Sequence, residues 1–96
     1  MAELLDDHTI EERLGPLDGW RREGDEIVTD RKLPDFAAAM AFVNAVADAA
    51  EAANHHPDIL VHDYNQVRLS VTNHSAGGLT QADIDLAATI DALPGG

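Results

Sequence analysis

A chain of 96 residues carrying 18 acidic and six basic side chains has a net charge of −12. That excess excludes nucleic acid and anionic membranes as partners, because both are bound by clustered lysine and arginine. With 45% apolar and 25% charged residues and no cysteine, the chain reads as one globular domain, 1–96, without disulfides or thiolate chemistry. Its core is expected at about 8–92, with frayed ends.

No apolar run approaches the roughly 20 residues of a membrane span. The N-terminus, Met1-Ala-Glu-Leu-Leu-Asp-Asp, lacks the basic and apolar regions of a signal peptide. Cytoplasm is therefore the expected location. In chain order, Thr9-Ile-Glu-Glu12 has the form of a capping box opening a short helix that Gly15-Pro16 ends. Trp20 to Leu33 reads as a hairpin turning at Gly24-Asp25. Asp35 is a good N-cap for a long helix whose end Pro57 fixes near Asn54 or His55. Phe36, Met40, Val43, Ala47 and Ala50 form one apolar stripe of that helix, and Phe42, Val46, Ala49 and Ala53 a second. Two stripes predict burial over a wide arc.

Ile59–Tyr64 and Val67–Asn73 alternate as strands and make an antiparallel pair. Gly77-Gly78 breaks the second strand, and Thr80-Gln-Ala-Asp83 opens a last helix with Ile84, Ala87, Ala88 and Ile90 inward and Leu79 as a staple. The order α-β-β-α-β-β-α predicts an α+β fold, a four-stranded antiparallel sheet with three helices packed on one face.

The chemistry concentrates between Glu51 and Asp83. Glu51 and His55 stand at i and i+4, a spacing at which a carboxylate can orient an imidazole or simply form an exposed helix pair. Pro57 sets the angle at which His56 leaves the helix, so His55 and His56 can face one concavity. His74, at a strand end, returns to them if the long helix crosses the sheet. Asp83 has a sufficient role as a helix cap. His8 and His62 have no comparable partners and read as surface residues. Zinc is disfavoured by the spacing, since adjacent histidines rarely ligate one ion and nothing resembles H-E-x-x-H. Metal-free acid–base work on an organic substrate remains.

Glu51-(x3)-His55-His56-Pro57-(x6)-Tyr64-(x9)-His74-(x8)-Asp83 resembles the signature of the pterin-4a-carbinolamine dehydratases. The resemblance takes in Trp20, Arg31-Lys-Leu-Pro-Asp-Phe36, Ala41-Phe-Val43 and the closing Ala-Gly-Gly-Leu-Thr, from about Leu17 to Asp91. It implies dehydration of 4a-hydroxytetrahydrobiopterin to quinonoid dihydropterin, with the pterin as substrate and no metal or other cofactor. It implies that His55, His56 and His74 share pterin binding and proton transfer, that Glu51 orients His55, and that Pro57 and Asp83 support the site, Asp83 through His74 or the pterin. A homodimer or homotetramer and a link to an aromatic amino-acid hydroxylase are implied as well. A relative in this family also serves as a dimerisation cofactor for a transcription factor, so a non-enzymatic protein-binding module is the alternative. Two departures stand out: Leu33 replaces a common aromatic, and Asn73 precedes His74 where threonine or serine is usual.

Overall fold

The structure, a computed structural model, describes residues 3–95. Helix α1 runs Asp7–Leu14 and is capped by Asp6, whose carboxylate accepts from the Thr9 N–H at 2.8 Å. The helix thus begins before Thr9, and the capping box expected there does not form. Asp6 already serves the Thr9 amide, and Glu12 lies 3.8 Å from His8 on the exposed face.

Strands β1 (Trp20–Glu23) and β2 (Glu26–Lys32) make the expected hairpin, with Glu23 opposite Glu26. Gly24 sits at φ +63°, which a residue without a Cβ adopts at no steric cost. Helix α2 spans Phe36–Ala53, and its N-cap Asp35 accepts from the Ala38 N–H at 2.8 Å. It has the length and apolarity of a short membrane span, yet Ala39, Phe42, Val46 and Ala50 are sequestered inside the domain. The wide arc of burial is not found. Phe36 is 53% exposed, Ala47 is exposed, and Met40 and Val43 are half-buried. The helix packs against β4 and α3, and the covered residues take Phe42 and Val46 from the second stripe and Ala50 from the first.

Strands β3 (Asp58–His62) and β4 (Gln66–Val71) lie slightly earlier in the chain than their alternation suggests. The shift has a local cause. Asp63 and Tyr64 both take left-handed backbone angles, φ 49° and 56°, so the chain is already turning where the strand was expected to continue. Asn65 then donates its side-chain amide to the Leu33 carbonyl at 3.0 Å and accepts the Leu33 N–H at 2.8 Å, fixing the turn to the end of β2.

The sheet order is β1-β2-β4-β3, antiparallel throughout. Ile27, Val67, Leu69 and Val71 are buried on one face beneath the helices, and each such side chain contributes roughly 1.5–3 kcal/mol by leaving water. The opposite face is charged: Asp30 accepts from Arg68 Nε at 2.9 Å and from Arg21 at 3.0 Å, linking β1, β2 and β4.

Helix α3 (Gln81–Asp91) buries Ile84, Leu86, Ala87 and Ile90. Ala88, expected inward, is exposed, and Leu86 takes its place in the core. At the far end Asp91 accepts from Trp20 Nε1 at 2.8 Å and from Arg31 at 2.6 Å, clamping α3 to the β1–β2 hairpin. The tail packs against the domain through Gly95. A Cβ at Gly95 would come within 3.3 Å of Leu33 and 3.5 Å of Phe42, so the segment is folded back on the core. Gly96 lies outside the described residues.

Candidate active site

Construction of the site begins where α2 stops. Asn54 adopts a left-handed conformation (φ 50°, ψ 42°), which asparagine tolerates better than most residues. The Asn54 N–H then donates to the Glu51 carbonyl at 3.2 Å and the His55 N–H to the Ala50 carbonyl at 3.1 Å. This paired closure swings His55 off the helical path. The i, i+4 geometry that would set Glu51 against His55 therefore does not exist.

His55 instead meets Asp83. Its Nε2 lies 2.6 Å from Asp83 Oδ1, with the histidine side chain 15% exposed and the aspartate fully buried. The other carboxylate oxygen accepts the Thr80 N–H at 2.7 Å and is 3.3 Å from the Thr80 hydroxyl. Asp83 is thus the carboxylate half of a capping box at the start of α3, where the helix dipole favours negative charge. One buried group holds both a helix terminus and an imidazole. With Nε2–H donated to Asp83, the tautomer is set and Nδ1 is the nitrogen left for chemistry.

Glu51 lies 3.6 Å from His56 Nε2, and both side chains are well exposed, at 80% and 57%. The sequence assigned Glu51 to His55; the structure pairs it with His56. At that separation in water the attraction is worth at most about 1 kcal/mol. Pro57 follows, half-buried, and leads the chain into β3.

His74 stands in the turn between Asn73 and Gly78, which are bridged as an isolated antiparallel pair. It is exposed. The turn continues β4, whose end is flanked by β3 on one side (Asp58 opposite Ser70) and by β2 on the other (Ile27 opposite Val71). Strand register therefore brings the His55–Pro57 corner and the His74 turn to the same end of the sheet. A cleft of about 370 Å³ opens beside His74, walled by Glu23, Asp25 and Glu26 of the β1–β2 turn. Larger grooves flank α1 (about 560 Å³) and the C-terminal tail (about 450 Å³), but neither contains a histidine, so volume alone does not identify the site.

His62 contacts Asp63 at 2.9 Å near the opposite end of β3, and His8 is exposed on α1, 3.8 Å from Glu12. Among the described residues no three His, Asp or Glu side chains converge as a metal-binding group. Sequence reasoning missed the acidic wall of the β1–β2 turn, which depends on the β2–β4 register that no local pattern encodes.

A site of this kind, an imidazole oriented by a helix-capping carboxylate at one end of an antiparallel sheet, defines a small α+β domain suited to proton transfer. Residues 3–93 match the family described as pterin 4 alpha carbinolamine dehydratase, and the chain belongs to that family. It is 56% identical to a protein of Roseiflexus castenholzii and 50% identical to one of Trichormus variabilis, each over 97% of this chain and 99% of the relative. Both relatives carry pterin-4-alpha-carbinolamine dehydratase as a provisional name. Among solved structures, the transcriptional coactivator/pterin dehydratase of Brucella melitensis superposes with a TM-score of 0.88 at 33% identity, covering 94% of this chain and 97% of that one. A pterin dehydratase-like protein identified as a RuBisCO assembly factor in the alpha-carboxysome gives 0.65 at 25% identity, over 77% and 87% of the two chains.

Proposed function

We propose that this protein is a hydro-lyase that removes water from 4a-hydroxytetrahydrobiopterin to give the quinonoid dihydropterin. The observation that carries this reading is the 2.6 Å contact between His55 Nε2 and the buried Asp83 carboxylate, in a chain of the dehydratase family. In the reaction the C4a–O bond breaks, the C4a=N5 double bond forms, one proton joins the departing hydroxide and one leaves N5. Neither proton step requires a metal when imidazoles are positioned for it. A positioned general acid or base contributes roughly 10²–10⁴-fold, most efficiently when its pKa lies near the working pH.

His55, oriented by Asp83, offers Nδ1 for one of these transfers. His74 and His56, both exposed at the same end of the sheet, supply the second transfer and contacts to the pterin. Glu51 bears on His56, and Pro57 sets the corner from which both neighbouring histidines project. The protein acts in the cytoplasm as a homodimer or homotetramer, regenerating pterin beside an aromatic amino-acid hydroxylase. The test is stopped-flow absorbance on synthetic carbinolamine. Acceleration over buffer that is lost in His74→Ala is the expected outcome; wild-type protein with no acceleration overturns the proposal.

A second reading has its own support. The solved relatives are named for coactivator and assembly roles, and this chain leaves Ile59, Leu60 and Tyr64 37%, 53% and 65% exposed on and beside β3. A non-enzymatic protein-binding module on the same fold would be favoured by an inactive wild-type protein that captures a stoichiometric partner through this strand.

A further inference from the structure

His55 and His74 are held in different ways. The ring of His55 is fixed by Asp83, whereas the His74 ring has no hydrogen-bond partner among the described residues. Its direction depends on the backbone of its turn, and one residue organises that turn. The Asn73 carbonyl accepts from the N–H groups of Ala76 at 3.2 Å, Gly77 at 2.9 Å and Gly78 at 3.2 Å. The Asn73 N–H donates to the Gly78 carbonyl at 3.2 Å. Its side-chain Oδ1 accepts from the Ala76 N–H at 3.0 Å, closing an Asx-type turn over His74. The turn also uses Gly77 at φ +83°, and the Gly77 N–H reaches the His74 carbonyl at 3.2 Å.

Backbone bonds from Asn73 are open to any residue at that position. The bond from Oδ1 is not. A side chain without an acceptor leaves Ala76 sharing only the carbonyl, and the turn carrying His74 loosens. We infer that Asn73 is the positioning residue for His74, performing through the backbone what Asp83 performs for His55 through the ring. The inference rests on the dehydratase reading for its effect on rate, though not for its effect on the turn. Misplacing a reacting group by about 1 Å can cost 10²-fold in rate, while His55, His56 and Asp83 lie outside the loosened turn and keep their place.

Two variants test this. Asn73→Leu removes the acceptor at similar volume, and Asn73→Ser restores a shorter, weaker one. In Asn73→Leu the expected results are a fall in kcat of about 10–100-fold, KM within about twofold, and faster hydrogen exchange at the Ala76 amide. Asn73→Ser should recover most of the rate and of the amide protection. Circular dichroism checks that both variants are folded. Wild-type kcat in folded Asn73→Leu, a loss confined to KM, or no rescue by Asn73→Ser would overturn the assignment. Amide exchange and the His74 ring resonances need no substrate. A wild-type protein without turnover therefore defeats the dehydratase reading alone, and an Ala76 amide unmoved by Asn73→Leu defeats the positioning role alone.

Discussion

His55 and Asp83 are 28 residues apart in the chain and 2.6 Å apart in the fold, the aspartate fully buried and the imidazole nearly so. Asp83→Asn keeps the shape and one acceptor but removes the charge that sets the imidazole's tautomer. The expected result is a loss of about 10²-fold or more in carbinolamine dehydration, with Asp83→Ala adding about 1 kcal/mol of instability from the lost cap. Stopped-flow rates and urea midpoints separate the two effects. Equal rates for wild type and Asp83→Asn would remove Asp83 from the chemistry.

Glu51 offers the contrast. Its 3.6 Å approach to His56 is made in water, where such pairs contribute about 1 kcal/mol or less. Glu51→Gln should cost at least tenfold less in kcat than Asp83→Asn and should leave the urea midpoint within error. A Glu51→Gln rate as low as that of Asp83→Asn would show that the exposed pair tightens around substrate.

His74 is exposed and carries no packing role, so His74→Ala should reduce dehydration by about 10²-fold or more while altering stability by no more than about 0.5 kcal/mol. A parallel measurement on His56→Ala tells which of the two exposed imidazoles moves a proton. The expected signature of proton transfer is a fall in kcat, and that of binding alone is a rise in KM.

Arg31 tests the structural clamp. It donates to Asp91 at 2.6 Å and to Thr29 at 2.9 Å, and its guanidinium lies 5.9 Å from the centre of the Trp20 ring. Arg31→Leu leaves Asp91 negative at the C-terminal end of α3, where the helix dipole is unfavourable to it. Loss of this charged hydrogen bond should cost about 2 kcal/mol, read as a lower urea midpoint with an unchanged slope. Arg31→Lys should recover only part, because an ammonium cannot reproduce the planar fork.

Acid sensitivity has an identifiable source on the open face of the sheet. Asp30 is held below its usual carboxylate range by the hydrogen bond from Arg68, with Arg21 adding to the effect and slight burial opposing it. A carboxylate whose pKa is lower folded than unfolded stabilises the fold above the unfolded value, 3.8 here, and the contribution is lost as pH falls through the folded value. Urea midpoints should therefore decline below about pH 4, and Asp30→Asn should flatten part of that decline. Because the cluster is exposed, added salt should shrink the difference. An Asp30→Asn profile parallel to wild type at every pH would place the acid sensitivity elsewhere.

The elements were legible because their signals are local. Asp35, Pro57, Gly24 and the alternation of Val67, Leu69 and Val71 each act within a few residues, and the α+β order follows from them. The histidine motif was legible as a set, but its pairing was not. Helical spacing put Glu51 beside His55, and only the left-handed turn at Asn54 undoes that geometry. Asn54 can also continue a helix, so its sequence does not announce the turn. Likewise the apolar positions of α2 spread over a wide arc, and the placement of β4 and α3 decides which of them are covered. The acidic wall beside His74 depends on pairing between strands distant in sequence.

The double duty of Asp83 has a consequence in time. The same carboxylate that orders the first turn of α3 orients His55, so competence at His55 cannot precede the docking of α3. During synthesis the histidine pair emerges well before its anchor does. Until the later segment is made and folded onto the sheet, His55 has neither a fixed tautomer nor a fixed direction. The imidazole is thus armed only as the domain closes, and a chain cut short before Asp83 would present the histidine pair without its anchor.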